Sequence, residues 1–137
     1  MNRSRANSSI FLIELALVIL IFSVCAAITM RVFAGAHQMT RESEALSRGV
    51  IAAQSAAECY KAAAGDPART AALAGGVRDG GTVRVYYGGD WSRVQADAAY
   101  VVTLFKDGGS AEISVAPVLP DGGAGETFYS ITVKAVE

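Results

Sequence analysis

Histidine is almost missing from this 137-residue chain, and cysteine nearly so: one of the first, two of the second. His37 has no partner at metal-ligand spacing and no nucleophile placed beside it, which leaves no histidine-based metal centre or catalytic pair. It reads as a solvated or headgroup-level side chain. Cys25 and Cys59 stand 34 residues apart on what reads as one helix, about 50 Å along its axis. That is too far for an intrachain disulfide, so no disulfide framework is implied. Cys25 reads as a small lipid-facing or helix-packing residue and Cys59 as part of a helix–sheet core. An excess of either charge is absent too. Twelve basic and 13 acidic residues give a net charge of −1, and no electrostatic field argues for nucleic acid. Gly80-Gly81 and Gly122-Gly123 are turn glycines, since neither pair stands between a strand and a capped helix with a lysine. Paired carboxylates in a plausible pocket are missing as well. The residues therefore nominate no catalytic group, no cofactor, no metal and no small-molecule substrate. The expectation is that this is not an enzyme.

What the chain does have is one long apolar run. Between Ile10 and Met30, 21 residues carry a single charge, Glu14. That length crosses a hydrocarbon core of roughly 30 Å as a helix. An ionisable side chain at a bilayer centre costs on the order of 2.5–3.5 kcal/mol on the mild insertion scale. Glu14 lies near one end, where the cost is smaller, but it still asks for a partner. A plain anchor would carry Leu or Ala there.

The segment Ser9-Ile10-Phe11-Leu12-Ile13-Glu14-Leu15, followed by Ala16-Leu17-Val18-Ile19-Leu20-Ile21-Phe22-Ser23, resembles the N-terminus of type IV pilins and type II secretion pseudopilins, the minor ones especially. Three positions depart from the family pattern. Ser9 stands where Gly is usual before the cut, Ile10 where Phe or Met is usual after it, and Arg31 where major pilins carry a Pro. The resemblance implies that a prepilin peptidase cuts between Ser9 and Ile10 and methylates the new terminus. It implies that Glu14 then pairs with the terminal amine of a neighbouring pilin-like subunit. Leu12, Ile13, Leu15, Val18, Ile19 and Phe22 would pack against other such helices in the membrane. Some major pseudopilins hold calcium in a C-terminal loop. Here Asp121, Glu126 and carbonyls of 120–126 offer some of the six to eight oxygens calcium wants. A plain turn, with Asp bonding locally and Gly supplying positive φ, needs nothing extra.

Residues 1–9 read as a short basic tail or leader with Arg3 and Arg5, either a retained cytoplasmic flank or the charged region of a signal peptide. For ordinary signal cleavage, Val24-Cys25-Ala26 is a passable site, giving a soluble exported chain that starts near Ala27. Glu14 in the middle of the apolar region stands against it, and Val24 is too large for a lipoprotein site at Cys25. Arginines flank both ends of the span, Arg3 and Arg5 on one side and Arg31, Arg41 and Arg48 on the other. Charge alone therefore does not orient it. The short tail favours an N-terminus inside the cytoplasmic membrane and the long C-terminal part outside.

Beyond the 10–30 span, residues 31–64 contain no proline and are rich in helix formers. Met39, Leu46, Val50, Ala53, Ala57, Tyr60 and Ala64 recur at helical spacing and predict one apolar stripe. Leu46, Val50, Ala53, Ala57 and Tyr60 are the expected helix–sheet contacts. Gly35 and Gly49 are candidate flex points or places of close approach. One helix over 10–64 would be about 80 Å long, the stick of the lollipop that the resemblance implies.

Gly65-Asp66-Pro67 ends it. Within a 65–81 linker, Asp66 caps a short helix to about Leu73. Residues 82–137 read as sheet. Alternation predicts strands at 82–87, 98–106, 110–116 and 127–136, with a hairpin at Lys106-Asp107-Gly108-Gly109. Trp91, Tyr86 and Tyr87 form either an aromatic patch on one strand edge or the sheet's own packing. The predicted class is α+β: a long N-terminal helix packed on an antiparallel meander of about four strands. Two functions follow from different readings. One is a structural, filament-forming subunit. The other is an uncleaved, membrane-anchored accessory module that recruits a partner through its sheet.

Overall fold

A computed structural model describes the backbone of residues 2–135 and the side chains of residues 7–135. Met1, the side chains of Arg3 and Arg5, and Val136 of the expected last strand lie outside the described residues. The elements run α1 (Asn2–Ala62), α2 (Pro67–Ala74), β1 (Val77–Asp79), β2 (Thr82–Tyr87), β3 (Tyr100–Asp107), β4 (Ser110–Pro117) and β5 (Tyr129–Lys134). The class is α+β, as expected. The chain divides into two compact units, Met1–Glu42 and Ser43–Glu137.

The first unit is helix alone. It begins at Asn2 and not at Ile10, so the expected polar tail is helical. No Pro or Gly precedes Gly35, and Arg and Ala favour the helix, so nothing in the sequence stops it at Ser9. Every described side chain of this unit is exposed, and Gly35 neither breaks the helix nor meets a neighbour.

The second unit carries the core. Its sheet runs β1-β2-β3-β4-β5 in space, every pair antiparallel, the expected meander of about four strands with one short strand more. The addition is β1, whose three exposed residues hold no apolar alternation to read. The register stacks Val83, Leu104, Ile113 and Ile131 in one row and Val85, Val102, Val115 and Tyr129 in the next. These rows form the inner face, covered by the C-terminal part of α1 and by α2.

The helical side of that core is almost all alanine: Ala52, Ala53, Ala56, Ala57, Ala71 and Ala74, with Tyr60 as the one large side chain. Of the expected stripe, Ala53, Ala57 and Tyr60 are buried and Val50 is half-buried. Leu46 is 46% exposed and Met39 74%. The correction has a physical reason. The contact is made through small side chains and begins at Gly49, one turn beyond Leu46. A Cβ on Gly49 would stand 2.7 Å from Phe128 Cε2, so this glycine is a seat for a ring, not a flex point.

Helix α1 closes at Ala62, two residues before the expected end, in a Schellman turn. Ala64 takes the left-handed conformation (φ 51°), its N–H reaches the Lys61 carbonyl, and the Gly65 N–H reaches the Tyr60 carbonyl at 3.1 Å. Lys106 Nζ adds a bond to the Gly65 carbonyl at 2.9 Å. Asp66 caps α2 by accepting from the Ala68 N–H at 3.1 Å, with Pro67 at the first position, as expected. At the β2–β3 connection, the Ser92 hydroxyl (2.6 Å) and amide (3.1 Å) hold the Asp90 carboxyl below its ordinary value of 3.8.

Strand β3 starts at Tyr100, not 98, and β5 spans Tyr129–Lys134 where 127–136 was expected. Tyr87, Trp91, Tyr100 and Phe128 make an aromatic row along one end of the core. Trp91 stacks on Tyr100 with ring centroids 4.3 Å apart, and Phe128 meets Tyr100 edge-on at 6.2 Å. Tyr86 is not part of it, because alternation turns it to the opposite face.

Candidate functional site

In an α-helix, residues three, four and seven apart share a side. Leu12, Leu15, Ile19 and Phe22 therefore line one side of α1. Ile10, Glu14, Val18 and Ile21 line another, and Ile13 points to a third. The six residues expected to pack between helices are thus not gathered on one face, and Glu14 is not among the Leu12 row. All are exposed, as is Ser9. A helix apolar all round is the mark of a segment made to be surrounded by apolar material. This helix is long and apolar enough to cross a membrane, and none of that stretch is buried by the rest of the chain.

Its few polar groups are answered from within. Ser23 Oγ donates to the Ile19 carbonyl and Thr29 Oγ1 to the Cys25 carbonyl, both at 2.8 Å. Such back-bonding hides a hydroxyl where water is absent. Glu14 has no such option. Four residues past Ile10, it is the lone charge of the run. Among the described residues no cation lies within salt-bridge distance of it, the one ion pair being Lys61–Glu58 at 3.3 Å. The Ser9–Ile10 peptide bond lies inside α1, with helix on both sides.

In the second unit the candidate residues divide: Leu46 stays exposed, Val50 is half-buried, and the rest of the expected helix–sheet set turns inward. Ala53, Ala57 and Tyr60 hold the sheet, and Cys59 is partly buried beside them. In the loop weighed for calcium, Asp121 Oδ1 accepts from the Gly123 N–H at 2.9 Å and Gly122 takes φ 81°. The turn accounts for both residues. No cluster of three or more His, Cys, Asp or Glu is placed to hold a metal among the described residues. A recess of about 670 Å³ opens at the C-terminal end of α1, lined by Tyr60, Gly65, Lys106 and Ser110. Lys106 is already bonded to Gly65 there, and Ser110 Oγ donates to the Asp107 carbonyl at 3.1 Å. Tyr60 Oη is buried with no hydrogen-bond partner among the described residues. By its spacing Tyr60 reads as a packing residue only. A phenol spaced with alanines on a buried stripe is the signal that a hydroxyl must also be placed.

Comparison of the sequence with protein-family models and with curated proteins, and of the fold with solved structures, returns no significant match.

Proposed function

We propose that this protein is a structural subunit of the pilin-like kind, a minor pilin or pseudopilin of a type IV pilus, type II secretion or related filament apparatus. The single observation that carries the reading is a helix apolar on every side with one carboxylate, Glu14, near its start. An anchor gains nothing from that carboxylate, whereas a helix that docks beside another can use it to fix the register of the pair. Cleavage after Ser9 by a prepilin peptidase would free the Ile10 amine. The carboxylate of one subunit would then neutralise the terminal amine of its neighbour in the bilayer. The N-terminus lies inside and the C-terminal unit outside the cytoplasmic membrane.

The deciding measurement is the mass of the mature N-terminus, taken on protein from its native membrane. A chain that starts at Ile10, with a methylated amine, supports the reading. Glu14→Gln should then abolish co-assembly, scored by cross-linking between subunits, while leaving the chain in the membrane. Assembly of Glu14→Gln at the wild-type level would remove the mechanism.

A second reading has one observation in its favour. The Ser9–Ile10 bond is helical on both sides, and peptidases in general take their substrates extended. An uncleaved chain would be a membrane-anchored accessory module, with Arg3 and Arg5 retained and Glu14→Gln tolerated.

A further inference from the structure

The outer face of the sheet, away from the helices, carries a small cleft that neither reading of the N-terminal helix uses. Register places Arg84 opposite Thr103 and Tyr86 opposite Val101, all four on this face. Over them lies the loop after β4. It is folded back by the Val118–Ala124 bridge and by hydrogen bonds of 2.8 Å from the Leu119 N–H to the Gly123 carbonyl and from the Gly122 N–H to the Leu119 carbonyl. Gly122, Gly123 and Ala124 roof a space of about 170 Å³ whose other walls are Arg84, Tyr86, Val101 and Thr103. Arg84 makes no ion pair among the described residues. Asp79 and Glu112, on the same face, are beyond salt-bridge distance from it.

We propose that this cleft binds a carboxylate group. The guanidinium offers a planar fork of donors that matches a carboxylate in two parallel bonds. Tyr86 and Thr103 line the same space, and Val101, buried at the floor, would meet the adjoining methyl or methylene. The space holds a carboxylate with a few waters, at roughly 30 Å³ per water, and no nucleotide. One guanidinium balances one negative charge. A phosphate dianion would be left in excess. The group belongs either to a free small acid or to an aspartate or glutamate of another protein. The inference is independent of how the N-terminus is processed.

The test uses the full ¹⁵N-labelled chain in detergent micelles, titrated with sodium acetate against sodium chloride at equal ionic strength. Amide shifts at Thr103, Gly122 and Gly123 should saturate with acetate, with a Kd on the order of 1–10 mM, and not with chloride. Arg84→Met should weaken acetate about tenfold or more and Tyr86→Phe less, since a charged hydrogen bond is worth about twice a neutral one. Both side chains lie outside the core, so the rest of each spectrum should stay in place. Linear shifts common to both salts, or an unchanged Kd in Arg84→Met, overturn the site. A capped aspartyl peptide then reads the source. Tenfold tighter binding than acetate supports a protein-borne carboxylate, and equal binding supports a small acid.

Discussion

Tyr60 Oη is the polar atom of the core whose cost has no visible return. The ring is fully buried and fills the space between alanines, but the hydroxyl lies without a partner among the described residues. A buried, unpaired donor costs about 1–3 kcal/mol, and removing it while keeping the ring leaves the packing intact. Tyr60→Phe should therefore stabilise the second unit by about 1 kcal/mol, read as a higher urea midpoint with an unchanged slope. A loss of stability instead would show that the hydroxyl is bonded, by water or by a group beyond the described residues.

At the scale of the elements, the two faces of the sheet should answer mutation differently. Ile113 is fully buried in β4, within the row Val83–Leu104–Ile113–Ile131, whereas Phe105 in β3 is 54% exposed on the outer face. Ile113→Ala should cost about 3 kcal/mol through lost burial and the cavity left behind. Phe105→Ala should change stability by roughly 0.5 kcal/mol or less. Urea denaturation of both variants of the full chain in detergent decides it, and equal costs would mean that the faces are misassigned.

This face difference was legible in sequence because period-two alternation survives in 82–87 and 110–116. The hairpin between β3 and β4 was legible because Asp107-Gly108-Gly109 sits between two such runs. Strand β1 was not, since Val77-Arg78-Asp79 is too short and too exposed to carry a period. Nor was the true helical contact surface. A stripe read by hydrophobic volume picks Leu46, whereas the buried side of the helix is made by Gly49, Ala52 and Ala56. The cleft at Arg84, Tyr86 and Thr103 was beyond reach, because strand register and the return of a distant loop bring those residues together.

Taken whole, the chain couples two units that obey opposite rules. Over its described residues the second unit buries an apolar core, while the described side chains of the first unit bury none. Its apolar stretch is long enough to cross a membrane, and whether it does so can be tested directly. Leu20 sits mid-run, and an arginine there costs about 3 kcal/mol on the insertion scale. Leu20→Arg should shift the protein out of the alkaline-washed membrane pellet, whereas Met39→Arg, beyond the run, should leave it there. An equal distribution for both variants would count against a spanning helix.

The alanine face of α1 has a mechanical consequence. Side chains one carbon long give the helix no teeth to mesh with the sheet, so over most of the contact little resists a pull along the axis. Two features do: the Tyr60 ring, set into the sheet like a peg, and the Phe128 ring, lodged over the missing Cβ of Gly49. Tension drawn through this helix should load those two points first.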